Sequence, residues 1–205
     1  MQFFCIFTPK DENSRILANR CIQTAKEFGH TVVPIEGVSK KYAKNIAIEN
    51  RLSFGFDYLL TKADCVLRDS QIACFLAHRK LWEICLMLKE PIVILEHDAY
   101  FTKTLEAVEF DEVLNLQREI WDNPSWTWYE KLQILIDKDQ INGNAKYICL
   151  PGASAYALTP LAAKKLCSVT SMLPLDISVN KKIVKIDDHP SIPVINVTND
   201  YTTNR

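Results

Sequence analysis

Short apolar runs recur along the chain, and longer stretches with a helical repeat separate them. Gln2 to Thr8 is a first run and predicts a strand. From Glu12 to Phe28, the residues Ile16, Leu17, Ile22, Ala25 and Phe28 fall on or near one helix face, and Gly29 is its stop signal. His30 to Ile35 predicts a second strand, Glu36-Gly37 a turn, and residues 40–53 a second helix. The strongest periodicity runs from Ser70 to Lys89. There Cys74, Ala77, Leu81, Ile84, Cys85 and Leu88 repeat at spacings of three and four, which makes one apolar stripe. Pro91 ends that helix and opens Ile92-Val93-Ile94-Leu95, which reads as a strand buried on both faces, as in a parallel sheet.

Further on, the pattern predicts a helix near 109–120, a Trp-rich connection over 121–129 and a strand at 132–136, with a helix from Ser125 as the alternative. Asn142-Gly143-Asn144 is a turn signal, and strands are expected at 147–150 and 153–158. Thr159-Pro160 opens a helix to about Val169, with Thr159 as N-cap and Pro160 in its first turn. A last strand is expected near Ile183–Ile186. Strands alternating with helices predict an α/β class. No linker is visible, so residues 1–205 read as a single domain, with 187–205 as a candidate C-terminal tail.

Composition narrows the function classes. A net charge of -1 counts against a dedicated nucleic-acid binder. The seven cysteines are odd in number and form no C-x-x-C pair, so neither a disulfide framework nor a zinc knuckle is indicated. A reduced, cytoplasmic protein is the simplest reading. The N-terminus is apolar but short and lacks a basic lead, which suits a strand better than a signal peptide. No run approaches the ~18 apolar residues that a membrane span needs.

The central apolar strand ends abruptly in Glu96-His97-Asp98. Ligands of open α/β sheets bind outside the carboxyl ends of such strands. Alternation along an extended chain would point Glu96 and Asp98 to the same side, at the rim of a crevice. Two hard oxygen donors suit a divalent cation, Mn2+ or Mg2+, and such a cation suits a diphosphate. The competing reading is that Asp98 caps a turn or helix starting at Ala99. The five glycines form neither G-x-G-x-x-G nor a P-loop, so a Gly-rich cradle is not what would hold a nucleotide.

Three ordered blocks carry a resemblance. The first is Gln71-Ile-Ala-Cys-Phe-Leu-Ala-His78, followed by Leu81-Trp82-Glu83 and Ile94-Leu-Glu-His-Asp-Ala99. The second runs from Gly152 through Tyr156 and Thr159-Pro160 to Leu166. The third is Pro174-Leu175-Asp176. Together they are similar to the signature of glycosyltransferase family 25, which includes lipopolysaccharide-biosynthesis and collagen galactosyltransferases. The resemblance is collinear over roughly residues 3–180. It implies a GT-A-like, Rossmann-type αβα sandwich with a mixed central sheet. It also implies a nucleotide-sugar donor and transfer of one sugar to an acceptor hydroxyl, usually with inversion; a saccharide hydroxyl is the expected acceptor.

On that resemblance, Glu96 and Asp98 occupy the place of the metal-binding carboxylates, with His97 where the family has Asp. His78 and Tyr156 become candidates for the donor pocket. Asp176 becomes the candidate general base, because an inverting transfer needs a carboxylate within reach of the acceptor hydroxyl. His189, in Asp187-Asp188-His189, is a candidate late metal ligand. Each has a plainer alternative: a core histidine, a core tyrosine, a capping aspartate, a solvated charge cluster. Trp121, Trp126, Trp128 and Tyr129 could stack on a sugar or base, or pack a loop. Two rival functions stay open: a protein that keeps the fold and binds without turnover, which His97 suggests, and a transferase acting on a modified nucleobase, which the charge balance disfavours.

Overall fold

The computed structural model describes residues 1–53, 67–118, 149–150, 153–172, 175–181, 183–191 and 193–196. The Trp-rich segment, the strand expected at 132–136 and the turn at 142–144 lie outside these residues.

The chain opens with β1 (Gln2–Phe7), α1 (Glu12–Glu27) and β2 (Val32–Glu36). Asp11 starts the helix: its carboxylate accepts from the backbone N–H groups of Asn13 and Ser14 at 3.0 and 3.1 Å. Gly29 stops it with φ +83°, a conformation that glycine adopts without strain. The buried face of α1 is Ser14, Ala18, Cys21, Thr24 and Ala25. It departs from the expected stripe, since Ile16 is 58% exposed. Small side chains, invisible to a search for large apolar ones, line the side that meets the sheet.

Helix α2 (Ala43–Glu49) occupies the middle of the expected second helix. Lys44 ties it to the start of α3 (Asp69–Leu88) through a 2.8 Å ion pair with Asp69. Gln71 closes the amino end of α3, its side-chain oxygen accepting from the Arg68 N–H at 3.0 Å. This long helix buries more than one stripe: Ile72, Phe75, Leu76 and Trp82 join Ala77, Leu81 and Cys85. The sheet lies beneath it, and α2 and the helix Pro160–Ser168 flank it.

Then follow β3 (Ile92–Glu96), β4 (Ala99–Phe101), β5 (Val113–Asn115) and β6 (Gln117–Arg118). The helix expected near 109–120 is therefore replaced, over its described part, by two short strands. Val113 and Leu114 are buried on opposite faces of the sheet, and pairing on both edges outweighs the local pattern. The chain continues through β7 (Ala155–Leu158), α4 (Pro160–Ser168), α5 (Leu175–Ser178), β8 (Ile186–Asp188) and β9 (Val194–Asn196). Thr159 caps α4 as expected, its hydroxyl accepting from the Ala162 N–H at 3.4 Å. The late strand starts at Ile186 rather than Ile183, because Ile183 and Val184 bond back to the Asn180 carbonyl in a turn. Within the candidate tail from 187, the described residues contribute to two strands.

The result is a mixed α/β architecture. A six-stranded sheet has the order β2-β1-β3-β7-β5-β8, and a small sheet has the order β4-β9-β6. Strands β1, β2, β3, β5 and β8 point the same way, and only β7 runs against them. Successive strand residues face opposite sides. Phe4, Ile6, Ile92, Ile94, Tyr156 and Leu158 pack toward α2, α3 and α4. Phe3, Cys5, Val93, Leu95, Ala155 and Ala157 pack toward α1 and the small sheet. Among the described residues, no helix is long and apolar enough to cross a membrane.

Candidate active site

The shared direction of β1, β3, β5 and β8 gathers their carboxyl ends along one rim of the sheet. Glu96 is the last residue of β3, on the face that carries Ile92 and Ile94 beneath α3. Its side chain is 22% exposed. Helix α3 reaches it with Cys74 and His78, which stand one turn apart on one face. His78 Nε2 lies 3.3 Å from Glu96 Oε1, and the Cys74 thiol donates to the same oxygen at 3.4 Å. Among the described residues, the second Glu96 oxygen has no protein partner.

Behind His78 a chain of side-chain hydrogen bonds runs into the core. His78 Nδ1 is 2.9 Å from the Tyr156 hydroxyl, which is also 2.9 Å from Trp82 Nε1. An indole N–H can only donate, so the tyrosine oxygen accepts from Trp82. Among the described residues, the only other partner in reach for the hydroxyl proton is His78 Nδ1. The direction Trp82 to Tyr156 to His78 to Glu96 then uses every proton in the chain and leaves Nε2–H donating to the carboxylate. The His78 and Tyr156 rings are stacked with centroids 5.8 Å apart, which fixes the imidazole plane as well.

The electrostatics follow the same chain. Burial pushes the Glu96 carboxyl up, but the His78 hydrogen bond, the nearby imidazoles of His78 and His97, and the Cys74 thiol together hold it below its ordinary value. Glu96 is thus an anchored, ionised carboxylate. Burial drives the Tyr156 hydroxyl well above its ordinary value, so it stays a neutral donor.

The other sequence candidates fall in different places. Asp98 follows β3 in the turn that leads to β4 and is 8% exposed, so it lies deeper than Glu96. Strand alternation ends at Glu96, and the two carboxylates are not successive members of one extended face. His78 and Tyr156 are 1% and 0% exposed, so any influence they have on a bound donor passes through Glu96. His189 is buried with both ring nitrogens engaged. Nδ1 accepts from the Ser191 N–H at 3.2 Å, which leaves Nε2 to face the Glu106 carbonyl at 3.3 Å. That arrangement spares no lone pair for a metal. Its neighbours diverge as well: Asp187 faces Lys185 at 3.6 Å, and Asp188 accepts from the Asn115 amide at 2.8 Å. Asp176 lies on α5, and its side chain is outside the described residues.

Cys74 and Trp82 lie in the block that carries the resemblance, but the sequence reading gave neither a role. The signal was the spacing of Cys74, His78 and Trp82 at four-residue steps along one helix face. A comparison with curated proteins gives no match. The helix that carries Cys74, His78 and Trp82, the strand that ends in Glu96 and the strand that supplies Tyr156 all lie within residues 19–187, which match the model of glycosyltransferase family 25 (LPS biosynthesis protein), and the chain belongs to that family.

Proposed function

We propose that the protein transfers a sugar from a nucleotide-sugar donor to an acceptor hydroxyl, a saccharide's by preference, on a GT-A-like scaffold. The donor would bind along the carboxyl ends of the sheet strands, where open α/β sheets take their ligands. One observation carries this reading: an anchored, ionised Glu96 at the end of β3, with one oxygen held by α3 and the other without a protein partner among the described residues.

The open oxygen of Glu96 is a hard anionic donor and fits a divalent cation such as Mn2+ or Mg2+, with the adjacent Asp98 as the second carboxylate. When bound, that cation would supply positive charge to the departing nucleotide diphosphate. His78 and Cys74 would keep the Glu96 carboxylate oriented and charged, and the Tyr156–Trp82 pair behind them would keep His78 from turning. Asp176 is the proposed base: taking the acceptor proton as the hydroxyl attacks opposite the leaving group gives inversion.

The test is a panel of nucleotide sugars, each assayed for donor hydrolysis and for transfer, with and without Mn2+. Metal-dependent turnover of one donor is the expected result. Binding of a nucleotide diphosphate without turnover of any donor would instead mark a protein that has kept the fold and lost the reaction.

A further inference from the structure

The same corner of the molecule holds three unlike ligand atoms. Cys74 Sγ, His78 Nε2 and a Glu96 carboxylate oxygen all lie within 4.8 Å of one another. Two of the separations are 3.3 and 3.4 Å. A tetrahedral zinc site with bonds of about 2.0–2.3 Å places its ligand atoms roughly 3.3–3.6 Å apart. Two of the three separations are already those of a zinc site, and the third, Cys74 Sγ to His78 Nε2, lies within 4.8 Å. Two of the ligands sit four residues apart on one face of α3, and the third comes from the end of a buried strand, so rigid elements present all three. The Tyr156 oxygen stands 2.9 Å from His78 Nδ1, where it can accept from an Nδ1–H once a metal takes Nε2. The partial exposure of Glu96 gives a route of entry.

We propose that Cys74, His78 and Glu96 form a binding site for a borderline-soft divalent cation of the zinc class, separate in chemistry from the hard-cation position assigned to the open side of Glu96. A thiolate and an imidazole favour zinc over Mg2+ or Mn2+, which prefer oxygen. Binding exchanges the thiol proton for a zinc–sulfur bond and releases that proton to solvent. The Nε2 proton of His78 leaves, and Nδ1 takes one up and donates it to the Tyr156 oxygen. The Tyr156 hydroxyl proton turns away from the imidazole. Zinc draws on the same carboxylate as the transferase reading does, so that clause rests on the proposed function: zinc inhibits transfer. The site itself does not depend on it.

Cobalt(II) titration of the donor-free protein tests the site by itself. The expected result is one equivalent bound, with the intense d–d and sulfur-to-cobalt charge-transfer bands of a tetrahedral thiolate site, displaced by zinc but not by magnesium. Cys74→Ser should lose the charge-transfer band and weaken zinc binding about 100-fold or more. Tyr156→Phe should weaken it about 10- to 100-fold. Cys167→Ser, a half-buried cysteine outside the cluster, should bind like the parent. Absence of a cobalt–thiolate band in the folded parent would overturn the proposal, and so would a band that survives Cys74→Ser. Either outcome leaves the donor panel untouched, and a protein that binds cobalt in this way but turns over no nucleotide sugar would defeat the transferase reading alone.

Discussion

The two faces of the central sheet handle buried polar groups in opposite ways. On the α1 face the hydroxyls of Thr24 and Ser14 serve backbone groups. Thr24 donates to the Cys21 carbonyl at 3.1 Å and accepts from the Phe101 N–H at 3.3 Å, and Ser14 accepts from the Thr8 N–H at 2.8 Å. On the α3 face side chain meets side chain in an unbroken series, Trp82 to Tyr156 to His78 to Glu96, and the series ends at a carboxylate on the rim. Most side-chain hydrogen bonds in proteins go to backbone or water, so such a series is the rarer arrangement. Bonds of the first kind hold a helix against a strand. A series of the second kind also fixes the charge and direction of its last member, and each link removed is felt at that end.

The sharpest way to break this contrast is at the rim. Glu96→Gln keeps the shape and an acceptor for His78 but removes the charge. Its kcat/KM for sugar transfer should fall about 100-fold or more, with the fold intact by circular dichroism. Near-parental turnover would show that the carboxylate is not where donor binding is decided. One link inward, Tyr156→Phe deprives both Trp82 Nε1 and His78 Nδ1 of their partner. Urea unfolding should show a loss of about 2–4 kcal/mol, since each buried group left unsatisfied costs about 1–3 kcal/mol. Transfer should also drop, by about tenfold, through the loosened His78.

The matched change on the opposite face is Thr24→Val. It strands the Phe101 N–H and should cost about 1–2 kcal/mol in the same unfolding measurement, while kcat/KM stays at the parental value. Equal effects on activity from Thr24→Val and Tyr156→Phe would erase the distinction between the faces.

The smallest effect is on the acid limb of stability. The folded Glu96 carboxyl titrates below its ordinary value. Its contribution is therefore present above the pKa of the unfolded chain and is lost as pH falls through the lower, folded value. His78→Ala removes the main group holding it down. The fall in unfolding free energy on acidification should become shallower in this variant, measured by denaturant midpoints across the acid range. Identical slopes for variant and parent would mean that His78 does not set the charge of Glu96.

Much of this could be read in the chain itself. The three-and-four spacing from Ser70 to Lys89 places α3 within a residue of its ends, and the run Ile92–Leu95 becomes a strand buried on both faces, as its unbroken hydrophobicity requires. The ordered blocks around His78, Glu96 and Tyr156 pointed to the family that the chain belongs to. The misreadings share one cause. Over 109–118 the local pattern suggested a helix, but the short stretch around Val113 is an interior strand of the sheet, decided by β7 and β8 on either side of it. For α1, large side chains drew attention to a stripe that includes the exposed Ile16, while alanine, serine and cysteine form the contact. At Asp98 the strand has already ended in a turn, so the alternation of β3 no longer sets where its side chain points.

Periodicity, caps and turn residues act over a few positions, so the sequence alone determined that this is an alternating α/β chain with an acidic group ending its central strand. It could not determine what Glu96 faces. His78 meets Tyr156 across 78 positions of sequence and Trp82 meets it across 74. Those contacts exist because β7 inserts antiparallel beside β3, under α3, and brings Tyr156 opposite Ile94. Strand order is a property of the packed core as a whole, settled by which faces can be buried together. For that reason the anchored carboxylate emerged only from the tertiary structure.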